Sequence, residues 1–302
     1  MKGRIVRAIA LLAVLAGVSS AIFYWLVLPS LGLAGHARNF SRITGDRVRG
    51  QYLVAAAGCV ACHTDIERNG KFLAGGPALK TPFGTFYAPN ITSDAKHGIG
   101  RWTLAAFSRA ITSGISPEGE HYFPAFPYTS YTGMTTQDIA DIKAYLDTVP
   151  PVAVPSEAHD VRWPFSDRRF IGGWKALYFR EEPFRVQSGN SKLWNRGSYL
   201  VNSLGHCGEC HTQRNIFGGK TGRPQAGNSR GPEGSEVPGL RGLAAQSPPW
   251  SKDDIVKTLE LGITPSDDIL DPPMAEVVDH STSKLSPDDL SAIAEYLLSL
   301  DK

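Results

Sequence analysis

Cys59-Val60-Ala61-Cys62-His63 and Cys207-Gly208-Glu209-Cys210-His211 are two copies of C-x-x-C-H, and together they use all four cysteines of the chain. Two thiols three residues apart, followed at once by an imidazole, form the attachment signature of c-type haem. The thiols add to the two vinyl groups of one macrocycle, and the adjoining histidine gives its iron a proximal nitrogen. Cys59, Cys62, Cys207 and Cys210 are the expected attachment points of two covalent haem c groups, with His63 and His211 as proximal ligands. A four-ligand zinc site or a pair of disulfides could use the same cysteines, but both leave the adjoining histidines unexplained.

The sixth coordination position separates electron transfer from catalysis, because an open iron binds peroxide or another small ligand. Apart from the initiator, the methionines are Met134 and Met274. Met274 follows Gly262 by 12 residues and precedes a terminal helix, which is the place of a distal loop ligand. In the first half the residue 12 after Gly114 is Phe126, and Met134 comes eight later. Met134 is the expected distal ligand there, with His121 or an iron lacking a strong sixth ligand as alternatives. His97, His159, His206 and His280 read as loop or surface histidines, with His206 placed to hydrogen-bond near the second haem. Trp102 and Trp250 read as core residues, with an indole bond to a haem propionate as the other reading. Arg101 and Arg109 read as a solvated helix face.

These residues sit in a chain that repeats itself at an offset of about 148. Arg49-Gly50-Gln51-Tyr52-Leu53-Val54 precedes the first motif, and Arg196-Gly197-Ser198-Tyr199-Leu200-Val201 precedes the second. Trp102-Thr103 with Phe107, Ile111, Gly114 and Ile115 matches Trp250-Ser251 with Ile255, Leu259, Gly262 and Ile263. Thr103 and Ser251 read as N-caps, and the glycines as C-terminal stops. Asp138 to Leu146 matches Asp289 to Leu297, with Ser286 as cap and Pro287 at the first helical position. Each half reads helix, haem motif, loop, helix, loop, terminal helix. That is the order of a class I cytochrome c domain. The predicted fold is all-α, with domains over 44–150 and 191–302. The stretch 151–190 carries several prolines with Trp163, Phe165, Phe170, Trp174, Tyr178 and Phe179, too many aromatics for a flexible linker. It reads as a packed connector.

Lys2, Arg4 and Arg7 precede an uncharged stretch from Ala8 to Leu28, with Phe23, Tyr24 and Trp25 near its far end. As a helix it would span about 31 Å, close to a bilayer core. The charges place the N-terminus in the cytoplasm and the body outside it, and the aromatics fit an interfacial belt. Residues 1–30 are expected to be an uncleaved transmembrane anchor; Gly35-His36-Ala37 is a weak cleavage candidate. The localisation that follows is single-pass in the bacterial cytoplasmic membrane, with a periplasmic body. A net charge of +2 without long charged runs gives no sign of a nucleic-acid partner.

The run Pro89-Asn90-Ile91-Thr92-Ser93-Asp94, then Gly98-Ile99-Gly100-Arg101-Trp102-Thr103, then Pro124-Ala125-Phe126-Pro127-Tyr128, resembles the cytochrome c subunits of membrane-bound bacterial alcohol and gluconate dehydrogenases. Met274-Ala275-Glu276-Val277-Val278, His280-Ser281-Thr282 and the terminal helix resemble their second haem domain. The resemblance spans about residues 48 to 300. Those subunits usually carry three haem motifs and this chain has two; many also have methionine where Phe126 stands. The family implies transfer of electrons from a partner dehydrogenase to quinone, a terminal oxidase or a soluble carrier. A dihaem peroxidase with one open iron is the alternative from another class. A thiosulfate-oxidising dihaem enzyme would need a spare cysteine, and a haem sensor would need a signalling domain.

Overall fold

The computed structural model describes residues 2–27 and 38–301. Helix α1 covers Lys2–Ile22 and continues as a π turn over Phe23–Val27. It is long and apolar enough to cross a membrane, and none of its side chains is buried against protein. Leu28 and the candidate cleavage site Gly35-His36-Ala37 lie outside the described residues.

The first half contains α2 (Arg47–Ala56), α3 (Cys59–His63), the strands β1 (Ala78–Thr81) and β2 (Gly84–Tyr87), α4 (Leu104–Ser113), α5 (Tyr128–Tyr131) and α6 (Thr136–Leu146). The segment between the halves supplies β3 (Asp160–Val161) and α7 (Arg169–Tyr178). The second half contains α8 (Lys192–Tyr199), which runs on as a π turn over Leu200–Leu204, then a 3-10 turn over Cys207–Glu209. It ends with α9 (Lys252–Leu261), α10 (Met274–His280) and α11 (Pro287–Leu298).

The helix signals read from the sequence act as caps. Thr103 accepts from the Ala106 amide, Ser251 shares a full capping box with Asp254, and Ser286 accepts from the Asp289 amide. Each such cap contributes about 1 kcal/mol. Gly114 and Gly262 end α4 and α9 at φ 61° and 72°, left-handed values that glycine adopts without strain.

In each half the first and last helices cross face to face, α2 on α6 and α8 on α11. The repeated Arg-Gly-x-Tyr explains how. A Cβ on Gly50 would run into the carbonyl of Asp141, and one on Gly197 into that of Ala292. Glycine therefore sets the close approach of the two backbones. The preceding arginine ties the crossing: Arg49 pairs with Asp138 and Asp141, and Arg196 grips Asp289 at 2.7 and 2.6 Å. The tyrosine reaches across to the other half. Tyr52 donates to Asp289 at 2.6 Å, and Tyr199 donates to Asp138. The same four-residue signal thus closes each domain and clasps the two together in a reciprocal arrangement. One core runs through both halves, joining Leu53, Val54, Ile139 and Ile142 to Val201, Leu204, Ala292 and Ile293.

The all-α expectation needs one correction. β1, β2 and β3 form a small antiparallel sheet in the order β1-β2-β3, with Ala78 opposite Tyr87 and Gly84 opposite Val161. Thr81-Pro82-Phe83-Gly84 makes the hairpin turn, and the Thr81 hydroxyl donates to Gly84 O at 2.8 Å. Gly84 has φ 138°, and a side chain there would collide with Asp160 of β3. The Pro82 and Gly84 pair was a readable hairpin signal that the helical periodicity overshadowed.

Residues of the segment 151–190 pack against the rest of the chain. Asn90 donates to Val152 O and Val154 O at 2.8 and 3.0 Å. Ile171 joins Phe86 and Phe123 in a second cluster. Lys175 donates to Ser113 O and Gly114 O, both at 2.7 Å, placing a cation at the C-terminus of α4. On its other side Trp174 donates to Phe217 O at 2.9 Å, so α7 touches both halves. The end of α1 meets the start of α7, with the Arg169 guanidinium 4.3 Å from the Tyr24 ring and 4.1 Å from the Trp25 ring.

Candidate functional site

Both C-x-x-C-H motifs begin at a left-handed residue, Gly58 at φ 65° and His206 at φ 42°, which turns the chain sharply out of the preceding helix. The backbone after each motif is held alike. Gly75 N–H donates to His63 O at 3.0 Å, and Gly227 N–H donates to His211 O at 2.9 Å. Thr64 and Thr212 accept the amides of Leu73 and Gln225 at 3.0 and 3.1 Å.

The histidines are set in matching tautomers. His63 Nδ1 lies 2.7 Å from Pro89 O, and His211 Nδ1 lies 2.7 Å from Pro238 O. A carbonyl can only accept, so each Nδ1 carries the proton and each Nε2 keeps a lone pair. Burial pushes both imidazoles below their ordinary value, outweighing the carbonyl bonds that raise it. Two neutral histidines with Nε2 free to ligate are what an iron site needs, and the carbonyl bond fixes each ring and raises its basicity.

The four cysteines are unpaired. Burial pushes Cys59 and Cys207 up to about 12, and it raises Cys210 as well. Among the described residues no group of three or more His, Cys, Asp or Glu side chains is arranged to hold a metal ion. The donor set fits two haem c groups: each cysteine pair could take the attachment and the next histidine could offer Nε2 to the iron. Once bound, each supplies a one-electron Fe(II)/Fe(III) couple.

The two motifs are neighbours. His206 Nε2 comes within 3.5 Å of where a Gly58 Cβ would stand, and its ring is 5.4 Å from that of Tyr131. Tyr131 donates to Ala57 O at 2.6 Å, two residues ahead of Cys59. His206, read from sequence as a loop histidine, thus sits between the motifs. Helix α10 packs on α3, and α5 packs on the π turn ahead of Cys207, so each half's distal segment lies against the other half's motif. Glu209, inside the second motif, locks this arrangement. It accepts from Thr129 at 2.7 Å, from Ser130, from Arg214, and from Lys220 at 2.9 Å. Burial alone would raise its carboxyl, but Lys220, Arg214 and the two hydroxyls outweigh that and hold it at about 2. Sequence reasoning passed over Glu209 as a spacer, because its partners Thr129 and Ser130 lie in the opposite half.

The candidate distal residues fall in unlike settings. Met274 is the first residue of α10 and is partly exposed. Met134 is 1% exposed and belongs to the core cluster; Arg38 donates to its carbonyl at 2.5 Å. His121 is buried on the side facing the connector, where Arg168 donates to its carbonyl at 3.1 Å. Among the remaining residues, His159 accepts from Tyr87 N at 3.2 Å and packs edge-on to Phe86 and Phe123. Trp102 and Trp250 pack on the core, and the Trp250 indole donates to Gln246 at 3.0 Å. Arg109 donates to Ser116 O and Pro117 O, both at 3.1 Å, and Arg101 is exposed.

Two helical halves, each with a cysteine pair and a carbonyl-oriented histidine, define a tandem cytochrome. A family model for cytochrome c matches residues 48–150 and 195–301, and the chain belongs to the cytochrome c family. It is 41% identical to a diheme cytochrome c-type protein of Cereibacter sphaeroides, an alignment covering 93% of both chains. The cytochrome subunit of fructose dehydrogenase from Gluconobacter japonicus is 40% identical, over 83% of this chain and 52% of its own length. The cytochrome c subunit of a quinone-dependent alcohol dehydrogenase from Gluconobacter oxydans is 36% identical, over 91% of this chain and 60% of that protein. The chain thus spans nearly all of the first relative and only a little over half of the other two. Covalent haem c follows from the family, and the two matched regions agree with two haems.

Proposed function

We propose that this chain is a two-haem electron carrier. It is anchored by α1 in the bacterial cytoplasmic membrane and carries its haem domains, 44–150 and 191–302, on the periplasmic face. A dehydrogenase of the kind its relatives serve donates the electrons; quinone, a terminal oxidase or a soluble carrier accepts them. The observation that carries this reading is the adjacency of the two motifs within one core, with both histidines held neutral and oriented.

His63 and His211 are the proximal ligands in this reading, and Met274 is the distal ligand of the second haem. The chain's work is positional. The prolyl carbonyls fix the imidazoles, the shared core excludes water, and the Tyr52–Asp289 and Tyr199–Asp138 bonds hold the halves at one angle. Fixed geometry suits electron transfer, since little rearrangement accompanies a change of one electron.

The test has two stages. Full-length protein matured with haem should carry two haems per chain that resist acidic organic extraction. Mediated potentiometric titration should then show two reversible one-electron steps. Membranes of a strain lacking the chain should lose dehydrogenase-linked respiration on at least one of a panel of alcohols, sugars and sugar acids. Respiration unchanged on every substrate, or haems that cannot be reversibly reduced, would refute the carrier role.

A further inference from the structure

The distal segments of the two halves can be aligned residue by residue on hydrogen bonds. Ile115 bridges His121 in the first half, and Ile263 bridges Ile269 in the second. Tyr122 N–H donates to Gly114 O at 2.8 Å, and Leu270 N–H donates to Gly262 O at 2.9 Å. Ser116 N–H donates to Glu120 O at 2.8 Å, and Thr264 N–H donates to Asp268 O at 2.9 Å. Each of these residues and its counterpart are 148 positions apart. Continued four residues beyond Tyr122 and Leu270, the alignment sets Phe126 opposite Met274, each at or just ahead of a short helix.

That helix is shorter in the first half, with four residues in α5 against seven in α10. The offset beyond it is therefore 151, matching Thr135 with Ser286 as N-caps of the terminal helices. Met134 then aligns with Leu285. Both stand immediately before the N-cap, where an apolar residue packs against the fourth residue of the helix and fixes the angle of entry. The fourth residues are Ile139, 0% exposed and in one buried cluster with Met134, and Leu290, 2% exposed. Met134 thus has a complete structural account that Leu285 shares.

The other candidates face elsewhere. Side chains alternate along the extended stretch 121–123. Phe123 packs into the connector cluster with Phe86 and Ile171, so His121 lies on that side with it. The Tyr122 ring lies 6.0 Å from Phe126, and the Arg168 guanidinium lies over both Tyr122 and Phe123. Phe126 also meets Tyr131 at 5.8 Å and Tyr128 at 6.3 Å. These four side chains form a wall of rings without imidazole or thioether. The Tyr131 hydroxyl is committed to Ala57 O, and Tyr128 lies against Phe179 and Lys175 of the connector.

We propose that the first haem receives no sixth ligand from the chain. Phe126 closes its distal side where Met274 ligates in the second half, and Met134 is a helix staple. The first iron is then a binding site for small exogenous ligands such as carbon monoxide or cyanide. This rests on the two-haem reading above, and the experiment separates the two.

Full-length holoprotein is first denatured in alkaline pyridine to count haem; fewer than two per chain would overturn the two-haem reading itself. With two present, the ferric protein should show one high-spin and one low-spin haem by electron paramagnetic resonance. A single sulfur-to-iron charge-transfer band should belong to Met274, and carbon monoxide should bind half of the reduced haem. Phe126→Met should convert the high-spin haem to low spin, add a second sulfur band and abolish carbon monoxide binding. Met134→Leu should leave all three signals unchanged. Two low-spin haems in the unaltered protein, or a haem turned high-spin by Met134→Leu, would overturn the proposal.

Discussion

The halves of this chain share a backbone plan and differ in what fills it. Both begin with Arg-Gly-x-Tyr, both orient a histidine on a prolyl carbonyl at 2.7 Å, and both end on a capped helix. The differences are local. Gly58 is matched by His206, Ala61 by Glu209, and Phe126 by Met274. Among the described residues, only the first half carries a strand hairpin, to which β3 of the intervening segment adds a third strand. Duplication has thus preserved what closes a haem domain and left free what tunes it.

The largest effect should come from the attachment sites, taken half by half. Cys59→Ala with Cys62→Ala, or Cys207→Ala with Cys210→Ala, should each reduce covalent haem from two per chain to one. Mass spectrometry of the intact chain checks this. An unchanged haem mass in either double variant would break the equivalence of the halves.

Next come the helix crossings. Gly50→Ala and Gly197→Ala each force a Cβ onto a facing carbonyl, so each should destabilise by about 3 kcal/mol. Chemical denaturation followed at the haem bands reads the loss. The comparison predicts similar costs in both halves; a large cost in only one would show that the crossings are not equivalent.

Glu209 sharpens the contrast, because its counterpart Ala61 has no charge to offer. The folded carboxyl sits at about 2, below its ordinary value. Its stabilisation is therefore fully present above roughly pH 4.5 and fades as pH falls towards 2. Glu209→Gln should cost about 2 kcal/mol at neutral pH, with the gap from the unaltered protein closing across that acid window. A gap that persists to pH 2 would contradict the ionic latch.

Lys175 makes the most one-sided prediction. Burial lowers its ammonium to about 7, with Glu181 opposing weakly. The unfolded chain therefore binds more protons than the folded one between about pH 7 and 10, and stability rises with pH through that window. Lys175→Met should flatten this rise. Melting temperatures of both proteins at pH 7, 8, 9 and 10 test it.

Much of this was readable in the sequence because local signals acted locally. The two motifs, the caps at Thr103, Ser251 and Ser286, and the stops at Gly114 and Gly262 depend on residues a few positions apart. The offset of the repeat also announced two halves. What stayed hidden depends on contacts between them. Glu209 looks like a spacer until Thr129 and Ser130 arrive from the other domain, and Tyr52 and Tyr199 look like core residues until their hydroxyls reach opposite aspartates. Met134 illustrates the reverse case. Residue type points to a ligand, whereas in the proposed reading its place before Thr135 is a packing role shared with Leu285.

The central claim is that the clasped halves form one conduit, with electrons passing between haems inside a single chain. The direct measurement is pulse reduction of the fully oxidised holoprotein with less than one electron per chain, followed at the haem bands over a range of protein concentrations. The expected result is a fast first-order redistribution whose rate does not depend on protein concentration. Redistribution that occurs only in collisions, with a rate rising in proportion to protein concentration, would contradict it.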